Sequence, residues 1–270
     1  MLKDITIGQY FPGNSPVHRL DPRMKLILTV AYVVMLFIAG TPLSLGIGVL
    51  FLMIVYPVSG VPFRMVLRSL KPIIPIIALT AVLNMFFIEG NVIWQLWVIK
   101  ITDKGVLTAI LMSVRIACLI AGTSLLTYTT SPIALTDGLE QLFGPLKRFK
   151  VPVHEVAMMM TIALRFIPTL IEETDKIMSA QKARGADLES GGIMQRIKAL
   201  IPILIPLFVS AFRRAEELAL AMECRCYHGG EGRTRMRVLQ MGSLDVVSFL
   251  FTALCVAAVV VVNIYAPGRL

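Results

Sequence analysis

The sequence predicts an all-α integral membrane protein: five transmembrane helices, plus a cytoplasmic domain of one short and two long amphipathic helices. Composition is the first ground. Of 270 residues, 56% are hydrophobic and only 16% charged, with a mean hydropathy of +0.78. Soluble globular chains are roughly 45–50% apolar and about 25% charged. Distribution is the second ground, because the excess falls into blocks near the ~20 residues that a helix needs to cross hydrocarbon. The third is the stretch from Thr129 to Gly242. It holds 15 of the 26 basic and 12 of the 17 acidic residues, too many to span a bilayer, yet it keeps a helical apolar repeat. A soluble enzyme, a disordered tail and a secreted disulfide scaffold are excluded.

The N-terminal 22 residues contain Asp4, Gly13, Pro16 and Asp21. They interrupt any signal-peptide pattern, so the whole chain is expected in the mature protein. Apolar blocks then run from Leu26 to Ile38, Leu43 to Val58, Ile73 to Ile88, Val106 to Tyr128 and Val246 to Tyr265. Gly40-Thr41-Pro42 is a tight turn between the first two.

Charge sets the orientation. Lys3, Arg19, Arg23 and Lys25 precede the first block, and Arg64, Arg68 and Lys71 follow the second. Glu89, Lys100, Asp103 and Lys104, after the third, cancel. By the retention of Lys and Arg on the inner face, the N-terminus and residues 129–242 are cytoplasmic. The C-terminus, with Arg269, lies outside. Residues 1–128 thus form a membrane domain of four crossings, 129–242 the cytoplasmic domain, and 243–270 the fifth crossing. The net charge of +9 serves this topology. No basic run interleaved with aromatics points to a nucleic-acid partner.

Within 129–242 a short helix is expected from Pro132 to Phe143. Thr129-Thr130-Ser131 supply cap hydroxyls, Pro132 takes the first helical position, and Gly144-Pro145 ends it. A seven-residue step then links Val156, Ala163, Leu170 and Ile177, flanked by Met159 and Phe166. The same step recurs in Ile197, Leu204, Ala211 and Leu218. Two amphipathic helices of about 30 residues follow, each roughly 45 Å long. Pro168, Pro202 and Pro206 bend them without ending them, since the stripe continues. Ser190-Gly191-Gly192 joins them. Arg213 with Glu216 or Glu217, and Arg214 with Glu217, form pairs along the second.

Both long helices end alike. Ala183-Arg184-Gly185 closes the first, and Cys224-Arg225-Cys226 lies just ahead of Gly229-Gly230 in the second. Two readings are open. Each arginine is either a capping charge on the helix dipole, worth about 0.3–1 kcal/mol, or a planar donor fork projecting into an acidic groove on a partner. Two matching ends favour the second, because a two-fold partner needs two plugs.

These ends, the long helices between the fourth and fifth crossings, and His18-Arg19-Leu20-Asp21-Pro22-Arg23-Met24-Lys25 together resemble one family. So do Thr129-Thr130-Ser131-Pro132 and Ala180-Gln181-Lys182-Ala183-Arg184-Gly185. The family is the transmembrane T component of energy-coupling factor (ECF) transporters, importers of vitamins and metal ions in prokaryotic plasma membranes. The similarity covers nearly the whole chain. It departs from the family at the cysteines flanking Arg225, where small residues are common. The resemblance implies two ABC-type ATPase subunits docked on the paired helix ends, one arginine each. It also implies a substrate-binding membrane S component along the apolar stripe.

ATP and Mg would belong to the ATPases. This chain has no phosphate loop of its own, because Gly229-Gly230-Glu231-Gly232-Arg233-Thr234 lacks the spacing and the lysine. No cofactor or metal is expected on it, and no catalytic constellation is present. Cys224-x-Cys226-x-His228 cannot close a tetrahedral site on a helix. Met158, Met159 and Met160, with Phe166, Leu204 and Phe208, suit the substrate-subunit side, since thioethers repack readily; ordinary core packing explains the methionines equally well.

Arg115 is the one charge deep in an apolar block. With no buried acidic partner in the other crossings, it reads as paired to carbonyls or polar side chains. Asn84 reads as an interhelical hydrogen bond. The rival classes are a self-contained secondary carrier, which would need an inverted repeat and buried coupling charges, and a membrane scaffold without transport.

Overall fold

The computed structural model describes residues 10–88, 92–96, 99–186, 192–230 and 239–265. The chain divides into two compact units. One is drawn from Gly8–Gly138 and Val238–Leu270, the other essentially from Leu139–Arg237.

The first unit is a helical membrane bundle. A one-turn helix α1 (Pro16–Arg19) leads into α2 (Pro22–Ile38), which starts where sequence demands: Asp21 caps it, accepting from the Arg23 amide, and Pro22 fills its first turn. Thr41 and Ser44 form a reciprocal capping box on α3 (Pro42–Ser59). A helix α4 (Phe63–Leu70), which carries Arg64 and Arg68, a 3-10 turn at Lys71–Ile73 and the apolar α5 (Ile74–Phe87) follow as one helical run. An antiparallel hairpin, β1 (Val92–Leu96) and β2 (Ile99–Thr102), pairs Val92 with Thr102 and Leu96 with Ile99. It is a small addition to the all-α architecture and falls in the loop between the third and fourth crossings. Thr102 then caps α6 (Asp103–Thr129), and α7 (Pro132–Leu142) begins with Ser131 Oγ accepting from the Ala134 amide. Helix α10 (Ser243–Tyr265) completes the bundle.

Its core joins Tyr32, Met35 and Leu36 of α2, Leu45, Phe51 and Leu52 of α3, Cys118 and Ala121 of α6, and Val259 of α10. The rings of Tyr32, Phe51 and Phe251 stack in sequence at 5.1 and 5.6 Å. Gly122 lets α6 lie directly on the Tyr32 ring, where a Cβ would collide with it.

At the start of α2 the unit is clasped by polar groups. Asp245 of α10 accepts the Asp21 amide at 2.9 Å and the Gly242 amide at 2.7 Å. Arg23 pairs with Asp21 at 3.0 Å and donates to the Leu239 carbonyl. Buried Lys25 donates to the carbonyls of His18 and Thr129. The His18–Lys25 segment therefore ties α2 to the end of α6 and to the start of α10.

Five described helical runs are long and apolar enough to cross a bilayer: Pro42–Ser59, Phe63–Phe87, Asp103–Thr129, Val153–Ala183 and Ser243–Tyr265. The chain is thus a multi-pass, all-α membrane protein. One member of this set differs from the sequence expectation. Helix α2, at 17 residues, sits at the short limit of spanning length, whereas Val153–Ala183 qualifies. Charge is unevenly spread along that helix: between Val153 and Leu170 Glu155 and Arg165 are its only full charges. The expectation that all of 129–242 is too charged to span does not hold for this half.

The second unit is an antiparallel hairpin of α8 (Val153–Ala183) and α9 (Ile193–Glu223), preceded by a 3-10 stretch at Gly144–Phe149. Both helices run 31 residues through their prolines, as the uninterrupted stripes required. Three contacts set the pairing. Gln181 Nε2 donates to the Pro202 carbonyl at 3.2 Å, Arg214 Nη2 meets Glu173 Oε2 at 2.9 Å, and Gly230 packs on the His154 ring. His154 Nδ1 in turn lies 2.8 Å from Glu140 Oε1.

The expected Arg214–Glu217 pair gives way to the cross-helix partner. Arg213 makes its expected i,i+4 contact to Glu217, at 3.9 Å. Ser190, Gly191 and residues 231–234 of the glycine-rich run lie outside the described residues.

Candidate functional site

A helix ends when one residue turns left-handed and the last carbonyls find amides beyond it. At the end of α8 that residue is Gly185, with φ +83°. The Gly185 amide donates to the Lys182 carbonyl and the Ala186 amide to the Gln181 carbonyl, both at 3.0 Å. This 5→2 and 6→1 pair is a Schellman motif. Arg184 is its cap residue, at φ −83° and ψ 5°.

The end of α9 repeats the pattern. The Cys226 amide donates to the Glu223 carbonyl at 2.8 Å and the Tyr227 amide to the Met222 carbonyl at 3.1 Å. Arg225 is again the cap residue. Here the left-handed position belongs to Cys226, at φ +55°. The sequence expectation assigned the stop to Gly229-Gly230. The helix stops three residues earlier, although Gly229 is itself left-handed at φ +94°. A side chain in that region costs roughly 1–2 kcal/mol relative to the right-handed form, so the hydrogen bonds hold Cys226 where glycine would sit without strain.

The two tripeptides Ala183-Arg184-Gly185 and Cys224-Arg225-Cys226 are therefore equivalent in backbone, not only in spelling. All six residues are exposed. Neither arginine forms an ion pair with another described residue. The Schellman bonds pair the carbonyls of Gln181 and Lys182 at one end and of Met222 and Glu223 at the other through the backbone alone, and each exposed guanidinium keeps its five donors.

The other residues singled out in the sequence separate into two groups. On the hairpin, Met159, Met160, Leu204 and Phe208 are exposed, while Met158 and Phe166 are half-buried. In the bundle, the Arg115 guanidinium donates to the Ala39 carbonyl at the end of α2 and approaches the Met112 sulfur at 3.8 Å. Asn84 is half-buried near the end of α5, and its backbone carbonyl accepts the Ile88 amide. Sequence reasoning missed Asp245 and Glu173. Asp245 could have been found as an acid one residue ahead of an apolar block; Glu173 carried no signal beyond its charge.

Comparison with known proteins gives these features a context. The family model described as cobalt transport protein, CbiQ, matches residues 13–236. The chain is 54% identical to the energy-coupling factor transporter transmembrane protein EcfT of Thermosediminibacter oceani, over 94% of this chain and 96% of that one. It is 52% identical to the EcfT of Clostridium kluyveri over 98% and 97% of the two chains. Against the EcfT of Bacillus subtilis it is 52% identical over 88% and 91%. The match spans the His18–Lys25 segment, the hairpin and both arginine caps. The chain belongs to the CbiQ family, as a transmembrane T component of energy-coupling factor transporters.

Proposed function

We propose that this chain is the coupling subunit of an ATP-driven importer and is itself non-catalytic. Two ATPase subunits, which carry ATP and Mg, dock on its cytoplasmic side, one on Arg184 and one on Arg225. A substrate-binding membrane subunit lies against the exposed apolar face of α8 and α9, including Met159, Met160, Leu204 and Phe208. When ATP draws the two ATPases together, the capped ends follow, and the hairpin passes the displacement to the binding subunit. Selection of the vitamin or other micronutrient rests with that subunit. The N-terminus and hairpin face the cytoplasm, and the C-terminus the outside.

One observation carries the reading: two arginines hold the same cap position of the same motif at the two ends of one hairpin. A charge on the helix dipole can sit anywhere in the last turn, so a capping role alone gives no reason for the two arginines to hold the same position. A pair of like ATPases does call for it, because each presents the same groove.

The test is the double variant Arg184→Ala with Arg225→Ala, expressed with the ATPases and a binding subunit. Uptake and ATPase co-purification are expected to vanish, while the variant still inserts and elutes as a monodisperse species in detergent. Wild-type uptake by the variant would remove the proposal.

A further inference from the structure

Glu173 and Arg214 form a half-buried ion pair between α8 and α9, with 26% and 36% of their side chains exposed. The hairpin is balanced about them. Arg184 lies eleven residues past Glu173, and Arg225 lies eleven past Arg214. No proline falls in either interval, so each arm is a straight helix of roughly 16 Å at ~1.5 Å per residue. The helices are antiparallel, and their arms point in opposite directions. The two arginine caps therefore stand about 33 Å apart along the hairpin axis.

Apolar packing alone does not fix that span. The stripes of α8 and α9 are built from aliphatic side chains of similar size, and a slide of one turn, about 5.4 Å, sets apolar against apolar again. The ion pair does not tolerate such a slide. A half-buried carboxylate or guanidinium left without its partner loses the compensation for its desolvation. An ion pair in a largely apolar seam is a known means of specifying register; of the polar contacts described in this seam it alone joins two charges, while Gln181 meets only the Pro202 carbonyl.

We infer that Glu173 and Arg214 are a register lock. As a positioning pair they hold the two arginine caps at a fixed spacing, and so set the separation at which two ATPases are engaged. The functional half of this inference rests on the coupling role proposed above; the register half concerns the chain alone.

The experiment reads the halves separately. Spin labels are placed at Ser179 and Leu220, both exposed and each six residues beyond its lock partner. The full-length chain is used with its four native cysteines in place, the labels being attached through a genetically encoded keto-bearing amino acid at the two positions. Glu173→Arg and Arg214→Glu are each expected to broaden the inter-label distance distribution or to shift its maximum by about 5 Å, one helical turn. Glu173→Gln, which keeps the side-chain shape, is expected to broaden it less. The exchanged pair, Glu173→Arg with Arg214→Glu, is expected to restore both the distribution and uptake. Unchanged distances in all three single variants, or no recovery in the exchanged pair, overturn the lock. Distances that follow the expected pattern while uptake ignores it refute the functional half. That failure is distinct from wild-type uptake by the Arg184/Arg225 double variant, which would remove the coupling role and leave the lock standing.

Discussion

Arg184 and Arg225 occupy the same place in two copies of one backbone motif, each the last residue before a left-handed turn, though Gly185 makes one turn and Cys226 the other. The equivalence lies in hydrogen bonds, and it survives the change of neighbour. It also makes the cap residues separable from their flanks in experiments.

Replacing Cys226 with glycine tests that separation. Glycine adopts φ near +55° without the Cβ clash, so Cys226→Gly is expected to stabilise the end of α9 by about 1 kcal/mol. The gain should appear as slower hydrogen exchange at the Tyr227 amide, which closes the motif, with ATPase co-purification unchanged. Faster exchange in the variant would mean that the cysteine side chain, not the turn, holds this end.

Lysine in place of either arginine distinguishes charge from shape. Arg184→Lys and Arg225→Lys keep the cation at the helix terminus but lose the planar fork. Truncating one member of a desolvated charge pair typically costs about 2–5 kcal/mol of binding. The lysine variants should lose a substantial part of that, at least tenfold in ATPase affinity by titration against purified ATPases. Wild-type affinity would assign the arginines to the helix dipole instead.

The native thiols report the orientation. Cys224 and Cys226 are exposed, Cys118 is buried, and Cys255 is half-buried within α10. A membrane-impermeant maleimide is expected to label the chain in inside-out vesicles stripped of ATPases and not in right-side-out vesicles. Adding the ATPases back should protect both thiols. Labelling from the outer face would mean either that the topology is reversed or that α8 crosses the bilayer.

Asp245 holds the bundle at the start of α2. Its two oxygens accept the amides of Asp21 and Gly242, and it is buried. Asp245→Ala leaves both donors without this acceptor, at a cost of roughly 1–3 kcal/mol per unsatisfied buried group. Thermal unfolding in detergent should show a lower midpoint, with Asp245→Asn in between, since the amide keeps one acceptor oxygen. An unaltered midpoint in Asp245→Ala would show that the clasp carries no stability.

Much of this protein is written locally. The five apolar blocks, the caps at Asp21, Thr41 and Ser131, and the two 31-residue stripes through Pro168, Pro202 and Pro206 follow from hydropathy, side-chain oxygens and a period near 3.6. So do the paired arginine ends, which are visible as spelling before their geometry is known.

What the sequence left open depends on neighbours distant in the chain. Arg214 has an acid three residues away at Glu217 and another forty-one residues back at Glu173. Spacing favours the first, and only the rotation and register of α9 against α8 bring the second within 2.9 Å. Asp245 reads as a flanking charge until α10 lies beside α2. Cys226 reads as an ordinary helical residue until the hydrogen bonds of Tyr227 close over it. Intrahelical contacts depend on one periodicity and are legible from sequence alone; contacts between helices depend on how two surfaces slide and turn on each other, which only the packed structure decides.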